Sequence, residues 1–303
     1  MASSRKILIT GGSGMIGSRL TTLLTERGYE VAHLSRSKKN PDTKTFLWNP
    51  SANQIESGAL KDIDAIIHLA GAGIADKRWN ADIKKEILLS RTQSSGLLAE
   101  TLRKEPHRVQ VLVSASGISY YGVEDPVRAF VESDPPADDF LARVTIAWEK
   151  DVDELKDVLR TVRIRTGAVL STKGGALVRL AQPVKFFVGA PLGSGKQCVN
   201  WIHLDDVCGI YIKAIEDSSM RVVYNAVAPL PVTNKELTLE IARVLKRPLW
   251  LPPVPGVIVK LIAGDVAEFV LKGGKVSSEK IEKAGFHFRF KTVSSAMEDL
   301  LGK

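Results

Sequence analysis

The sequence predicts an α/β protein: a doubly wound parallel sheet with a smaller C-terminal lobe beyond the strand ends. Three observations predict it. Runs such as Ile7-Leu8-Ile9 and Ala65-Ile66-Ile67-His68-Leu69 are apolar almost throughout instead of alternating, as strands covered on both faces are. Stretches with apolar residues at helical spacing separate these runs. A glycine-rich turn directly follows the first run and opens the first helix.

In chain order, Lys6 to Thr10 is the first strand, and Met15 to Arg27 is a helix with Ile16, Leu20, Leu23 and Leu24 on one face, ended by Gly28. Glu30 to Leu34 is the second strand, Phe46-Leu47-Trp48 the third and Ala65 to Leu69 the fourth. A long helix runs from about Asn80 to Lys104, Val109 to Ser114 is the fifth strand, Phe140 to Val158 is a helix, and Val162 to Val169 is the sixth strand. Beyond about Thr172 the pattern loosens, because Gly174-Gly175, Gly189 to Gly195 and the prolines between Pro248 and Pro255 interrupt regular structure. The expected division is one domain of residues 1–170, to which 200–228 return, and a smaller lobe of 171–199 and 229–303. Near the end, Phe286, Phe288 and Phe290 alternate with His287 and Arg289, which reads as a strand packing one face.

Composition narrows the function classes. With 42 basic and 34 acidic residues the net charge is +8, yet the basic residues are dispersed and their longest cluster is Arg36, Lys38 and Lys39. The expectation is a solvated basic surface and no nucleic-acid partner, with a field that attracts an anionic ligand. Cys198 and Cys208, the only cysteines, fit neither a metal spacing nor a redox pair, so reduced thiols and no metal site are expected. No apolar run reaches the ~18 residues of a membrane helix. Only nine residues precede Thr10 in the first strand, which leaves no room for a leader; the expected compartment is the cytoplasm.

Gly11-Gly12-Ser13-Gly14-Met15-Ile16-Gly17 carries the chemistry. It satisfies G-x-G-x-x-G from Gly12, between a strand and a helix. Such a turn needs residues without a Cβ, because the backbone must approach a pyrophosphate that sits on the free N–H groups and positive end of the helix. The domain is therefore of Rossmann type and binds a dinucleotide. Arg36 lies nineteen residues after Gly17, where an acidic residue would hold the ribose hydroxyls of NAD. Together with Ser35 and Ser37 it suits a 2′-phosphate, so NADP(H) is the expected cofactor. Leu69, Ala70 and Gly71 close the fourth strand with little bulk and face the adenosine side.

These residues resemble the extended short-chain dehydrogenase/reductases of the NAD-dependent epimerase/dehydratase superfamily. The narrower likeness is to the atypical branch labelled epimerase family protein or cell-division inhibitor, which carries a C-terminal module of unknown function. The likeness spans essentially the whole chain. It rests on the glycine turn, Leu69-Ala70-Gly71, Lys77-Arg78-Trp79, Ser90-Arg91, Ser114-Ala115-Ser116 with Tyr120-Tyr121-Gly122, Asp139-Phe140-Leu141-Ala142 with Trp148-Glu149, Trp201-Ile202-His203-Leu204-Asp205-Asp206, and Ala284-Gly285-Phe286. It implies an NADP(H)-dependent oxidoreductase or epimerase acting on a small molecule, with Ser114 and Arg143 among the cofactor contacts. An anion is one candidate for that molecule, since a cation beside an aromatic in Lys77-Arg78-Trp79 suits one.

The family's Tyr-x-x-x-Lys pair is missing. Four residues after Tyr29, Tyr120, Tyr121, Tyr211 and Tyr224 stand His33, Glu124, Asp125, Ile215 and Ala228. By position Phe140 and Val144 stand where the pair would be, and neither carries a proton. The candidates to replace it are Ser116 at the end of the fifth strand, Tyr121 five residues on, and His203, whose unperturbed pKa lies nearest neutrality. Each has a second reading: a strand-end serine, a packed aromatic, and a histidine bonding backbone beside a helix that Asp205-Asp206 start. The alternative function is a non-enzymatic NADPH-binding regulator or scaffold.

Overall fold

The computed structural model describes residues 5–38, 42–122 and 128–302. Among them the chain runs β1 (Lys6–Thr10), α1 (Met15–Glu26), β2 (Glu30–Ser35), β3 (Lys44–Asn49), β4 (Gln54–Ile55), β5 (Ala65–His68), α2 (Ala81–Lys104), β6 (Val111–Gly117), α3 (Phe140–Asp153) and β7 (Arg160–Thr166). It continues through β8 (Ala168–Leu170), α4 (Ala176–Lys185), β9 (Cys198–Val199), β10 (Trp201–His203), α5 (Leu204–Glu216) and β11 (Val222–Ala226). Last come β12 (Val232–Thr233), α6 (Asn234–Leu245), α7 (Gly256–Ala263), α8 (Val266–Leu271), α9 (Glu279–Lys283) and α10 (Val293–Leu301).

The large sheet has the order β11-β7-β6-β5-β1-β2-β3-β4. Every pairing in it is parallel except the terminal β3–β4 hairpin. Side chains alternate between two cores. Ile7, Ile9, Ile67, Val111 and Val113 pack on one face with Leu20 and Leu24 of α1 and the buried face of α5. Leu8, Ile66 and Leu112 pack on the other with Leu97, Leu98 and Leu102 of α2 and Val152 of α3. With helices on both faces, inward and outward positions are both apolar, which is why the runs do not alternate. β11 brings residues 222–226 back to the edge of this sheet.

A third core gathers Leu170, Leu177, Trp201, Leu237, Ile241 and Met297 from β8, α4, β10, α6 and α10. The sixth predicted strand is therefore two. At Gly167 a Cβ would stand 2.4 Å from the carbonyl oxygen of Asn200, so the chain bends there, and β8 leaves the large sheet to pair with β10. The helix from Phe140 ends at Asp153, five residues earlier than predicted, in a run of turns through Val158. Phe286 to Phe290 forms no strand: burial alternates as expected, but the N–H groups of Arg289 and Phe290 donate to the two carboxylate oxygens of Asp206 (2.8 and 3.0 Å) instead of to a neighbouring strand. Among the described residues no helix is long and apolar enough to cross a membrane, and neither cysteine is in a disulfide.

Candidate functional site

From β1 the chain steps outward through β2 and β3, then returns to β5 on the other side of β1. The reversal opens a crevice outside the carboxyl ends of β1 and β5, and the glycine turn sits there. Gly11 has φ +69°, and a Cβ on it would stand 3.0 Å from the carbonyl of Leu69. A Cβ on Gly12 would meet the His33 ring at 2.5 Å, and one on Gly17 would meet Gly11 O at 2.4 Å. The turn closes through the Gly14 N–H on Gly11 O (3.0 Å). Gly14 caps α1 in extended conformation with no side-chain bond, so the helix N-terminus keeps its donors and positive dipole end open to a ligand. Ser13 is exposed, and Met15 and Ile16 pack against the core. A bare backbone cradle on an uncapped helix fits a diphosphate.

Past β2, Ser35 is half-buried and accepts from the Ser37 N–H at 3.5 Å; Arg36 and Ser37 are exposed. Arg36 has no ion-pair partner among the described residues, while Lys38 lies 3.9 Å from Glu56. Lys39 is outside the described residues.

The turn after β5 is fixed from below. Thr10 Oγ1 accepts from the N–H groups of Leu69 (3.0 Å) and Ala70 (3.1 Å), which leaves its own proton for Nδ1 of His68 (2.8 Å). Burial brings the His68 pKa down to about 3, so the ring stays neutral and serves as that acceptor. The Ala72 N–H donates to Ser90 Oγ at 2.9 Å. Arg91 Nη2 donates to Ala72 O (3.1 Å) and Nη1 to Ile87 O (2.9 Å), with the guanidinium over the Trp148 ring at 4.9 Å. Burial lowers the Arg91 pKa to about 10, which still leaves a cation beneath Gly71 at neutral pH.

Ser116 and Tyr121 come together in a buried network. Ser116 Oγ donates to Glu149 Oε1 at 2.5 Å. Arg165 grips both Glu149 oxygens (2.8 and 2.9 Å), and its Nη1 donates to Tyr121 Oη at 3.0 Å. Tyr121 Oη in turn donates to Asn225 Oδ1 at 2.8 Å. Arg163 adds contacts to Glu149 (3.1 Å) and Asp153 (2.6 Å). Tyr121, Arg165 and Glu149 are 2%, 3% and 4% exposed. Burial pushes the Tyr121 phenol up to about 12 against the pull of Arg165, so it stays protonated at neutral pH. For Glu149 burial works upward, but the hydrogen bonds and charge of Arg165, with Ser116 and Arg163, hold its carboxyl below the ordinary value. Ser114 is also fully buried, and its Oγ donates to the neighbouring carbonyl of Ala115 (3.1 Å).

His203 takes part in none of this. It caps α5 through Nδ1, which accepts from the Asp205 N–H at 3.0 Å, so the cap is the histidine and not the expected aspartates. Its ring stacks on Phe290 (centroids 3.8 Å apart), and Nε2 lies 3.3 Å from Asp299 Oδ2. Burial lowers its pKa, against the opposing charges of Asp205 and Asp299. Asp205 pairs instead with Arg19 (2.7 Å).

Phe140 opens α3, whose N-cap Asp139 accepts from the Ala142 N–H at 3.0 Å. The Phe140 ring meets Trp79 edge-on at 5.3 Å, Lys84 lies 5.5 Å from its centroid, and Lys84 pairs with Asp265 (2.6 Å). Val144 is buried and Arg143 exposed. Sequence reasoning did not single out Arg165, Glu149 or Arg91 as site residues. The signal was present: Arg163 and Arg165 share one face of β7, alternating with Val162 and Ile164, opposite Glu149 and Asp153 at i, i+4 on α3.

Comparison with known proteins bears on this geometry. Residues 7–140 match the model of the NAD dependent epimerase/dehydratase family, and residues 254–300 match a domain of unknown function, DUF1731. The chain is 34% identical over 306 residues to the chloroplastic epimerase family protein SDR39U1 homolog of Arabidopsis thaliana, covering 99% of this chain and 87% of the relative. The crystal structure of human epimerase family protein SDR39U1 (isoform 2) with NADPH superimposes with TM-score 0.90 at 32% identity, over 98% of this chain and 99% of that one. A nucleoside-diphosphate sugar epimerase from Corynebacterium glutamicum gives TM-score 0.81 at 30% identity, over 99% of this chain and 59% of that one.

Proposed function

Because the chain belongs to the NAD-dependent epimerase/dehydratase family, among the extended short-chain dehydrogenase/reductases, we propose that it binds NADP(H) and acts as an oxidoreductase or epimerase-like enzyme on a small molecule in the cytoplasm. The observation that carries this reading is the glycine cradle at the β1–β5 reversal, where an added Cβ at Gly12 or Gly17 would collide and Gly11 holds φ +69°. The human relative solved with NADPH supports the choice of cofactor. In this reading Gly11 to Gly17 take the diphosphate, Ser35, Arg36 and Ser37 the 2′-phosphate, and Leu69, Ala70 and Gly71 the adenosine side. The bound nicotinamide supplies hydride transfer. Ser116 and Tyr121 act as positioning residues, since both hydroxyl protons are already given to protein acceptors. Replacing Arg36 by Asp should weaken NADPH about tenfold or more, roughly 1.4 kcal/mol, and leave NADH nearly unchanged. Equal loss of both in a fluorescence titration would reject Arg36 as the 2′-phosphate residue.

A second reading has its own support. The chain lacks Tyr-x-x-x-Lys, and its Ser116–Glu149–Arg165–Tyr121 network is closed on itself. A fold that kept its nucleotide and lost its proton relay would act as an NADPH-responsive binder. Coenzyme oxidation followed at saturating NADPH across a panel of aldehydes, ketones and nucleotide sugars separates the two. Turnover with any member supports the enzyme. No turnover across the panel, with NADPH changing the affinity of a partner protein, supports the binder.

A further inference from the structure

The opposite edge of the sheet carries a second concentration of charge. A pocket of about 260 Å³ opens at the amino ends of β1, β5, β6, β7 and β11, away from the glycine turn, and among its walls are Arg5, Asp64, Gln110, Arg160, Glu216 and Arg221. The two carboxylates already have cations of their own. Asp64 accepts from the Lys6 N–H (2.7 Å) and pairs with Arg108 (3.1 Å). Glu216 pairs with Arg27 (3.2 Å) and accepts from Tyr29 Oη (3.0 Å). The three arginines do not. Arg160 donates to the carbonyls of Ala214 (2.8 Å), Ile215 (3.3 Å) and Met220 (3.0 Å), which satisfies the end of α5 without neutralising the guanidinium. The side chains of Arg5 and Arg221 have neither hydrogen bond nor ion pair among the described residues.

Three arginines line this one small pocket with no acid paired to them, Arg160 half-buried and Arg5 and Arg221 exposed, so its field favours an anion. Their mutual repulsion is visible at Arg160. Burial lowers its pKa, and the charges of Arg221 and Arg5 lower it further against Asp217. The backbone beside Arg221 is also strained: Val222, at the start of β11, has φ +70°, an outlier for a β-branched residue, and its carbonyl accepts from Arg163 Nε at 3.3 Å. Guanidinium forks match phosphate oxygens in shape and charge. The volume lies below that of pockets for drug-sized ligands, which suits a compact anion better than a whole nucleotide.

We propose that this pocket binds a small phosphorylated anion between Arg5, Arg160 and Arg221, at a site separate from the coenzyme crevice. The test is a calorimetric titration with inorganic pyrophosphate at constant ionic strength, with potassium chloride as the control, in the presence and absence of saturating NADPH. The expected result is saturable one-site binding that persists with NADPH present and weakens about tenfold or more in Arg5→Gln/Arg221→Gln, while the double variant melts as the parent does and binds NADPH equally well. Arg160 is left intact because it holds the end of α5. Binding that NADPH displaces belongs to the glycine turn and overturns the proposal. So does binding unchanged in the double variant, or no heat beyond the chloride control.

Discussion

Replacing Gly17 by Ala should weaken NADPH binding by about tenfold to a hundredfold. The added Cβ would stand 2.4 Å from Gly11 O and 2.7 Å from Gly12 Cα, both backbone atoms that cannot swing aside. The turn must open to admit it, and overpacking of this kind costs roughly 1–3 kcal/mol, with about 1.4 kcal/mol for each decade of affinity. At Gly12 the obstacle is the His33 ring, held by Thr21 at 2.8 Å, so Gly12→Ala should act more mildly. Gly96 supplies the control. It lies within α2, its Cβ would come no nearer than 3.8 Å to Asp151, and Gly96→Ala should leave binding untouched while stabilising the helix by roughly 0.5–1 kcal/mol. Coenzyme fluorescence titrations with thermal melts check all three. Full affinity in a normally folded Gly17→Ala protein would remove the cradle from the argument.

The second large effect is expected at Arg165. Arg165→Met strips Glu149 of a bidentate partner in a site that is almost fully buried, and breaking a buried pair from one side costs about 3–5 kcal/mol. Glu149→Leu/Arg165→Met together should cost less than Arg165→Met alone, because Glu149 is then not left buried with Arg163 as its remaining cation, and Arg163 keeps Asp153. The pH dependence follows from the direction of the Glu149 shift. Its folded pKa is depressed, so the contribution is present above the unfolded carboxylate value of 4.5 and is lost as pH falls through the folded pKa. Urea unfolding at neutral pH and in acid measures both effects. If Arg165→Met unfolds at the same urea concentration as the parent, the network does not hold β6, β7 and α3 together.

The cradle was legible because its parts are neighbours in sequence. Strand, glycine turn and helix lie within residues 6–26, and the collisions at Gly12 and Gly17 follow from local geometry plus one packed strand. The central strands were legible for a similar reason: burial on both faces writes an unbroken apolar run. The break at Gly167 was hidden, because the carbonyl of Asn200 that crowds it arrives from thirty-three residues away. So was the fate of Phe286 to Phe290, whose partner is the Asp206 carboxylate and not a strand.

Ser116, Tyr121 and His203 were candidates by residue type, and type alone does not say where a hydroxyl proton goes. Packing α3 on β6 and β7 commits Ser116 to Glu149, bringing β11 beside β7 commits Tyr121 to Asn225, and docking the C-terminal segment commits His203 to Phe290 and Asp299. Local sequence determined most of the element types and the glycine turn, because backbone conformation and burial pattern act over a few residues. Only the tertiary structure decided which polar side chains satisfy one another, because buried charge and hydrogen-bonding groups are paired by atoms distant along the chain.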